Sequence, residues 1–263
     1  MKRITSKDNP DFRRVWRLAH LARERRDARC TVLDGVHLVQ AYAEAHGLEH
    51  AEVVLAESSS ENPEIQDLLR TERPRAVLLL TDKLVEAASP VEAPTGILAV
   101  VPIPLPGPSK QRSEGFIVLL DGIQDPGNLG SILRSAAAAG AAEAWASADC
   151  ADPWSPKCLR GGMGAQFRLA VRDHVDLATA AARFNQRLIA ADVDAEQPLF
   201  GTDLSGPIAF VVGAEGAGIS PALLSQVQAR VRIPMEPGIE SLNAAAAAAV
   251  LFYEWRRQRD EKR

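Results

Sequence analysis

The sequence predicts an α/β protein in two domains, on three observations. Short apolar strands alternate with helical segments through residues 31–101, the pattern of a small α/β domain. Pro102, Pro104, Pro106 and Pro108 then alternate with other residues, which makes an extended, semi-rigid linker. Beyond it, Phe116–Leu120 reads as a buried strand of the parallel type, running into a Gly-containing turn and a helix. The expected division is a first domain at 1–101, a linker at 102–114 and a second domain at 115–263. At 263 residues and 46% hydrophobic, the chain can bury a substantial core.

In chain order, Asn9-Pro10 opens a helix expected over 11–29, with Phe12, Val15, Trp16, Leu18, Ala19 and Ala22 at roughly helical spacing. Strands are expected at 31–33, 53–55, 77–80 and 97–101, with helices at 37–45, 64–71 and 82–88 between them. After Phe116–Leu120, Asn128 can cap a helix that Gly140 ends, with Leu129, Ile132, Leu133 and Ala136 as its core stripe. Arg134 projects away from that stripe. Strands at 142–147, 167–171, 188–191, 208–212 and 231–233 follow, with helices opening at 152 and 220 and spanning 177–187. Two prolines and Gly238 end the 231–233 strand, Ser241 is a good N-cap, and the alanines at 244–249 are the best helix formers.

Composition narrows the function. The charged, polar start has no secretory character, and the longest apolar run, Ala244 to Tyr253, is about half a membrane span. A cytoplasmic protein with no membrane partner is expected. Cys30, Cys150 and Cys158 form no C-x-x-C pair, and His46 and His50 lack a third ligand nearby, so no metal is expected. The net charge of −4 is uneven: residues 1–29 carry +6 and the rest −10. A basic segment on an acidic body suits a polyanion such as RNA, with Arg13, Arg17, Arg23, Arg25 and Arg26 as candidate contacts. A merely solvated helix face would carry the same charges. A dinucleotide oxidoreductase is disfavoured, because no G-x-G-x-x-G follows the first strand of the second domain.

Three ordered blocks carry a resemblance. Residues 125–140 begin Asp-Pro-Gly-Asn and contain Arg134; residues 213–220 are Gly-rich around Glu215; Ile233-Pro234-Met235 leads to Glu240-Ser241-Leu242-Asn243 and a small-residue helix ending Tyr253-Glu254. Together they resemble the motifs of the SpoU/TrmH branch of the SPOUT methyltransferases. The resemblance implies a deep trefoil knot in an α/β domain with a parallel sheet, and transfer of methyl from S-adenosylmethionine to a ribose 2′-hydroxyl of RNA. Ribosomal RNA is favoured over transfer RNA. A catalytically silent RNA-binding relative is the alternative, although Asn128, Arg134 and Asn243 are all present. It also implies a homodimer, and an exposed stripe of Leu251, Phe252 and Trp255 on the last helix would suit one.

By the same resemblance, Asn128, Arg134, Glu215, Ser241 and Asn243 are active-site residues, and Gly213, Ile233, Met235 and Leu242 hold the cofactor. Arg134, a poor base, suits a role bound to the target phosphate, stabilising the developing oxyanion. Glu215 is either a general base or the group that orients Asn128. Gly162 stands where the family usually has Ser, and Ala170 where it usually has Pro. The segments around Ile4–Pro10, Asp34–Val39 and Pro94–Val101 resemble an L30e-like RNA-binding domain, in which Asp34 replaces the usual Glu.

Overall fold

The computed structural model describes residues 1–91, 94–107 and 115–262. Its elements are β1 (Lys2–Ile4), α1 (Pro10–His20), α2 (Ala22–Ala28), β2 (Cys30–Asp34), α3 (Val36–His46), β3 (Glu52–Ala56), α4 (Pro63–Thr71), β4 (Ala76–Leu80), α5 (Asp82–Ala88) and β5 (Ile97–Pro102). They continue as β6 (Ile117–Asp121), α6 (Pro126–Ala139), β7 (Glu143–Ala146), α7 (Pro156–Gly162), β8 (Ala170–Arg172), α8 (Leu177–Ala181), β9 (Arg187–Ala191), β10 (Ile208–Gly213), α9 (Pro221–Leu224), β11 (Ala229–Val231) and α10 (Ala244–Glu261). Two compact units result: Met1–Leu105 with Trp154–Phe167, and Pro106–Pro153 with Arg168–Arg263. Pro102 belongs to β5, and residues 108–114 of the expected linker lie outside the described residues.

The first unit is a sheet in the order β1-β4-β3-β5-β2. β1, β4 and β3 run parallel, and β5 is antiparallel to β3 and β2. Ile4, Phe12, Val15, Leu18, Leu80, Leu84 and Leu98 share its core. β1 escapes a reading for apolar strands because two of its three residues are exposed cations and only Ile4 is buried. The single helix expected over 11–29 is two helices, broken at Leu21, whose backbone is extended (φ −116°, ψ 113°). The break has a compensation. Arg25 Nη1 donates to the carbonyls of Leu18 (2.8 Å) and Ala19 (3.3 Å), two of the groups left without helical partners at the end of α1. Arg25 is therefore only 4% exposed and serves the fold, contrary to its expected place among RNA contacts. Trp16, expected in the core, lies outside it at 39% exposure.

Residues 154–167 join this unit through specific contacts. Thr31 Oγ1 donates to the Trp154 carbonyl (2.6 Å), and the Tyr42 and Phe167 rings meet edge to face at 5.1 Å. Gly164 has φ +79°, and a Cβ there would lie 2.9 Å from the Ala41 methyl carbon. A Cβ at Gly162 would meet the side-chain amide of Gln166, so glycine here leaves room for Gln166 against the end of α7. The Asp34 carboxyl is pushed up by burial, an effect opposed by the Ser89 hydroxyl donating to it and by the charge of Arg160.

The second unit is a six-stranded sheet in the order β11-β9-β10-β6-β7-β8, parallel throughout. Leu251 and Phe252 are fully buried and Trp255 nearly so, in a cluster where Phe116 meets Phe252 at 5.0 Å and Trp255 at 4.7 Å. The stripe expected to be exposed is thus core, because α10 packs on α6 and β10. Several boundaries shift. Asp125, not Asn128, caps α6, accepting from the Asn128 amide, with Pro126 opening the helix. Asn243, not Ser241, caps α10, taking the amides of Ala245 and Ala246. α8 stops at Ala181, where tighter turns carry Phe184 onto Trp145. A 3₁₀ turn occupies 165–167 before β8, and β11 starts at Ala229. Among the described residues no helix is long and apolar enough to cross a membrane.

Candidate active site

The site lies beyond the carboxyl ends of β6, β9 and β10. Chain order reverses between β6 and β10, which makes this the switch point where open parallel sheets bind ligands. Gly213 ends β10, and the turn after it folds back so tightly that a Cβ at 213 would lie 2.4 Å from the Gly218 carbonyl carbon. Paired bonds close that turn, Ala214 N to Gly218 O (3.0 Å) and Gly218 N to Ala214 O (2.9 Å). Asp121, at the end of β6, accepts the Ser220 amide at 2.8 Å and fixes the far side of the loop.

Glu215, at the tip of this loop, organises three separate segments. Its Oε1 accepts from Asn128 Nδ2 (3.0 Å), Asn243 Nδ2 (2.8 Å) and the backbone amide of Ala244 (3.1 Å). Asn243 Nδ2 also donates to Asn128 Oδ1 (3.0 Å). The amide orientations support one another: Asn243 Oδ1 must accept to cap α10, which turns its Nδ2 towards the carboxylate. A carboxylate at the N-terminus of the 18-residue α10 also meets the positive end of that helix. Three donors on one oxygen tie Glu215 to both asparagines and to the start of α10.

Two cavities flank this cluster. One, of ≈ 390 Å³, is lined by Asp192, Gly213, Glu215, Gly218, Ile233, Met235, Ser241 and Leu242 among others. It is the size of a small-ligand site and mixes exposed backbone with apolar side chains. The other, of ≈ 330 Å³, is lined by Gly122, Gln124, Asp125, Asn128, Glu215 and Gly216 among others. The sequence-derived residues therefore divide cleanly. Gly213, Ile233, Met235, Leu242 and Ser241 face the larger cavity, Asn128 the smaller, and Glu215 both. Asn243 joins through its bonds, whereas Arg134 is exposed on α6, lines neither cavity and has no hydrogen-bond partner among the described residues. Asp192 escaped the sequence reading. It ion-pairs with Arg230 beside the larger cavity, and no pattern in the loop after β9 points to it.

S-adenosylmethionine fits the larger cavity on chemical grounds. Apolar Ile233, Leu242 and Met235 suit an adenine ring, and the side-chain-free Gly213 lets backbone approach it. Known proteins point the same way. Residues 115–253 match the model of the SpoU rRNA methylase family. The chain is 35% identical to an uncharacterised tRNA/rRNA methyltransferase of Synechocystis, over 97% of this chain and 93% of that one. It is 30% identical to the 23S rRNA (guanosine(2553)-2′-O)-methyltransferase RlmP of Bacillus subtilis, over 97% of this chain and 100% of that one. The SpoU methyltransferase AviRb of Streptomyces viridochromogenes, solved with AdoMet, superposes with a TM-score of 0.87 at 28% identity, covering 97% of this chain and 100% of that one. With its motifs, its cavities and its relatives in agreement, the chain belongs to the SpoU rRNA methylase family.

Proposed function

We propose that the chain methylates a ribose 2′-hydroxyl of ribosomal RNA, using S-adenosylmethionine in the larger cavity. The convergence of Asn128, Glu215 and Asn243 on one hydrogen-bonded cluster between two cavities carries this reading. RlmP and AviRb stand as the supporting relatives. When bound, S-adenosylmethionine supplies a methyl on a sulfonium, open to attack by an oxygen. Gly213, Ile233, Met235 and Leu242 hold it, and Ser241 borders it. Glu215 fixes Asn128 and Asn243, which orient the ribose in the smaller cavity. Arg134 binds the phosphate beside the target ribose and stabilises the oxyanion as the hydroxyl proton passes to solvent water; the ribose oxygen gains the methyl, the methyl–sulfur bond breaks, and the sulfonium leaves as a neutral thioether. The test is to map 2′-O-methyl groups in ribosomal RNA from a strain lacking the gene, then to restore the missing one with purified protein. Restoration only in transfer RNA, or none, would overturn the proposal.

The knot is part of this proposal: the segment after β11 returns to bring Asn243 onto Glu215 and lay α10 against α6. So is an L30e-like role for the first unit in gripping RNA, in the cytoplasm. We further propose a homodimer through the outward stripe of α10, Ala246, Val250 and Tyr253, at i, i+4 and i+7. Light scattering should give twice the chain mass at micromolar concentration; a monomer would remove the idea.

For RNA attraction, the first unit offers Arg17 and Arg26, which have no ion-pair partner among the described residues, together with Arg13 and Arg23, paired only to exposed Asp8 and Asp27. Arg25 is excluded by burial. Arg13→Glu with Arg17→Glu should flatten the salt dependence of RNA binding by roughly 0.7–0.9 log units for each phosphate that is no longer neutralised. Circular dichroism would check that the variant is folded. An unchanged slope would assign these arginines to a solvated face.

A further inference from the structure

We propose that Trp16 is a stacking platform for one unpaired RNA base, with Lys7, Arg13 and Arg17 around it holding the flanking phosphates. This deepens the RNA-methyltransferase reading and rests on it for the identity of the ligand. Four observations lead here. Phe12, Val15, Leu18 and Ala19 form the buried stripe of α1, so the core does not need Trp16, which stands outside the stripe with more than a third of its surface exposed. Its ring is already held. His20, one turn on, stacks against it at 4.7 Å with 18° between the planes, and His20 Nδ1 donates to the Trp16 carbonyl at 2.8 Å. A cavity of ≈ 370 Å³ lies beside the indole, lined by Lys7, Phe12, Arg13, Trp16, Arg17 and Ala87. Phe12 and Arg13, one turn before Trp16, line this cavity, whereas His20, one turn after, does not. Finally, Asp8 engages Arg13 alone, while Lys7 and Arg17 have no ion-pair partner among the described residues. The rim is therefore cationic.

An aromatic ring fixed by a neighbour, open on one side and ringed by cations is the arrangement that binds single-stranded nucleic acid. Stacking supplies sequence-tolerant affinity, and the cations follow the backbone. An unpaired base is the occupant that uses both features. A phosphate alone would not need the indole, and an apolar partner would not need three cations.

The experiment uses the full chain and two fluorescein-labelled probes of equal length: an oligoadenylate, and an abasic ribose-phosphate oligomer carrying the same charge. Fluorescence anisotropy should show Trp16→Ala weakening oligoadenylate binding by about five- to a hundredfold. Binding of the abasic probe should hardly change. Trp16→Phe should retain most of the affinity, and Arg17→Ala should weaken both probes together. Circular dichroism and S-adenosylmethionine affinity, unchanged in all three variants, verify folding. The inference is overturned if Trp16→Ala binds oligoadenylate like the wild type. It is equally overturned if both probes weaken together, or if the substitution changes the oligomeric mass and so assigns Trp16 to a contact between copies. Methyl transfer by the wild-type chain to ribosomal RNA is read separately. Its absence alongside a Trp16-dependent base preference would reject the enzymatic reading and leave the platform standing; the reverse result would do the opposite.

Discussion

Arg134→Ala will lower the turnover of methyl transfer by about 10²–10³-fold while leaving the affinity for S-adenosylmethionine unchanged. The magnitude is that of removing one preorganised donor from a developing oxyanion. The separation of the two effects comes from position. Arg134 is exposed on α6, lines neither cavity and takes no part in the bonds that hold Asn128, Glu215 and Asn243 together. On the role proposed for it, its loss removes an interaction made in the transition state without disturbing ground-state binding of the cofactor. Isothermal titration with S-adenosylmethionine and a filter assay of methyl incorporation read the two quantities independently. Loss of cofactor binding in step with activity would show that Arg134 supports the cavity rather than the reaction.

Gly213→Ala will damage cofactor binding instead, lowering S-adenosylmethionine affinity about tenfold or more and stability by about 1–3 kcal/mol, the usual penalty of overpacking. The added methyl would stand 2.4 Å from the carbonyl carbon of Gly218, 2.5 Å from its oxygen and 2.7 Å from the amide nitrogen of Ile219. All three are backbone atoms, so no rotamer change relieves the clash. The turn must move, and Glu215 moves with it, releasing Asn128 and Asn243. Urea unfolding and cofactor titration are the measurements. Wild-type values in both would mean that the turn has slack that its paired bonds do not suggest.

What could be read from the sequence follows from how local each signal is. β6, β9 and β10 were legible because strands buried on both faces are nearly continuous apolar runs, whereas β8 and β11, only partly buried, were displaced by two or three residues. α6 was legible from a different signal, its one-sided stripe at i, i+3, i+4 and i+7. The ends were less so. Asp125 and Asn128 are both good caps three residues apart, and only Pro126 at the first helical position decides between them. Ser241 and Asn243 pose the same choice, settled by which amides each can reach. The convergence of Asn128, Glu215 and Asn243 was legible only through resemblance to a family, since 115 residues separate the two asparagines. The role of Arg25 is invisible in the charge pattern, because it depends on the broken helix whose carbonyls Arg25 satisfies. Phe252 and Trp255 are covered by Phe116 and Phe210, which no helical period can reveal.

The placing of Trp154–Phe167 with the first unit has a consequence for the order in which the protein comes into being. When Leu105 has been synthesised, all five strands of the first sheet exist. The carbonyl that Thr31 needs and the ring that packs on Tyr42 do not. They arrive only after β6, α6 and β7 of the other unit have been made. The two units are therefore interleaved in time as well as in sequence, and neither is a contiguous stretch that a gene could gain or lose in one piece.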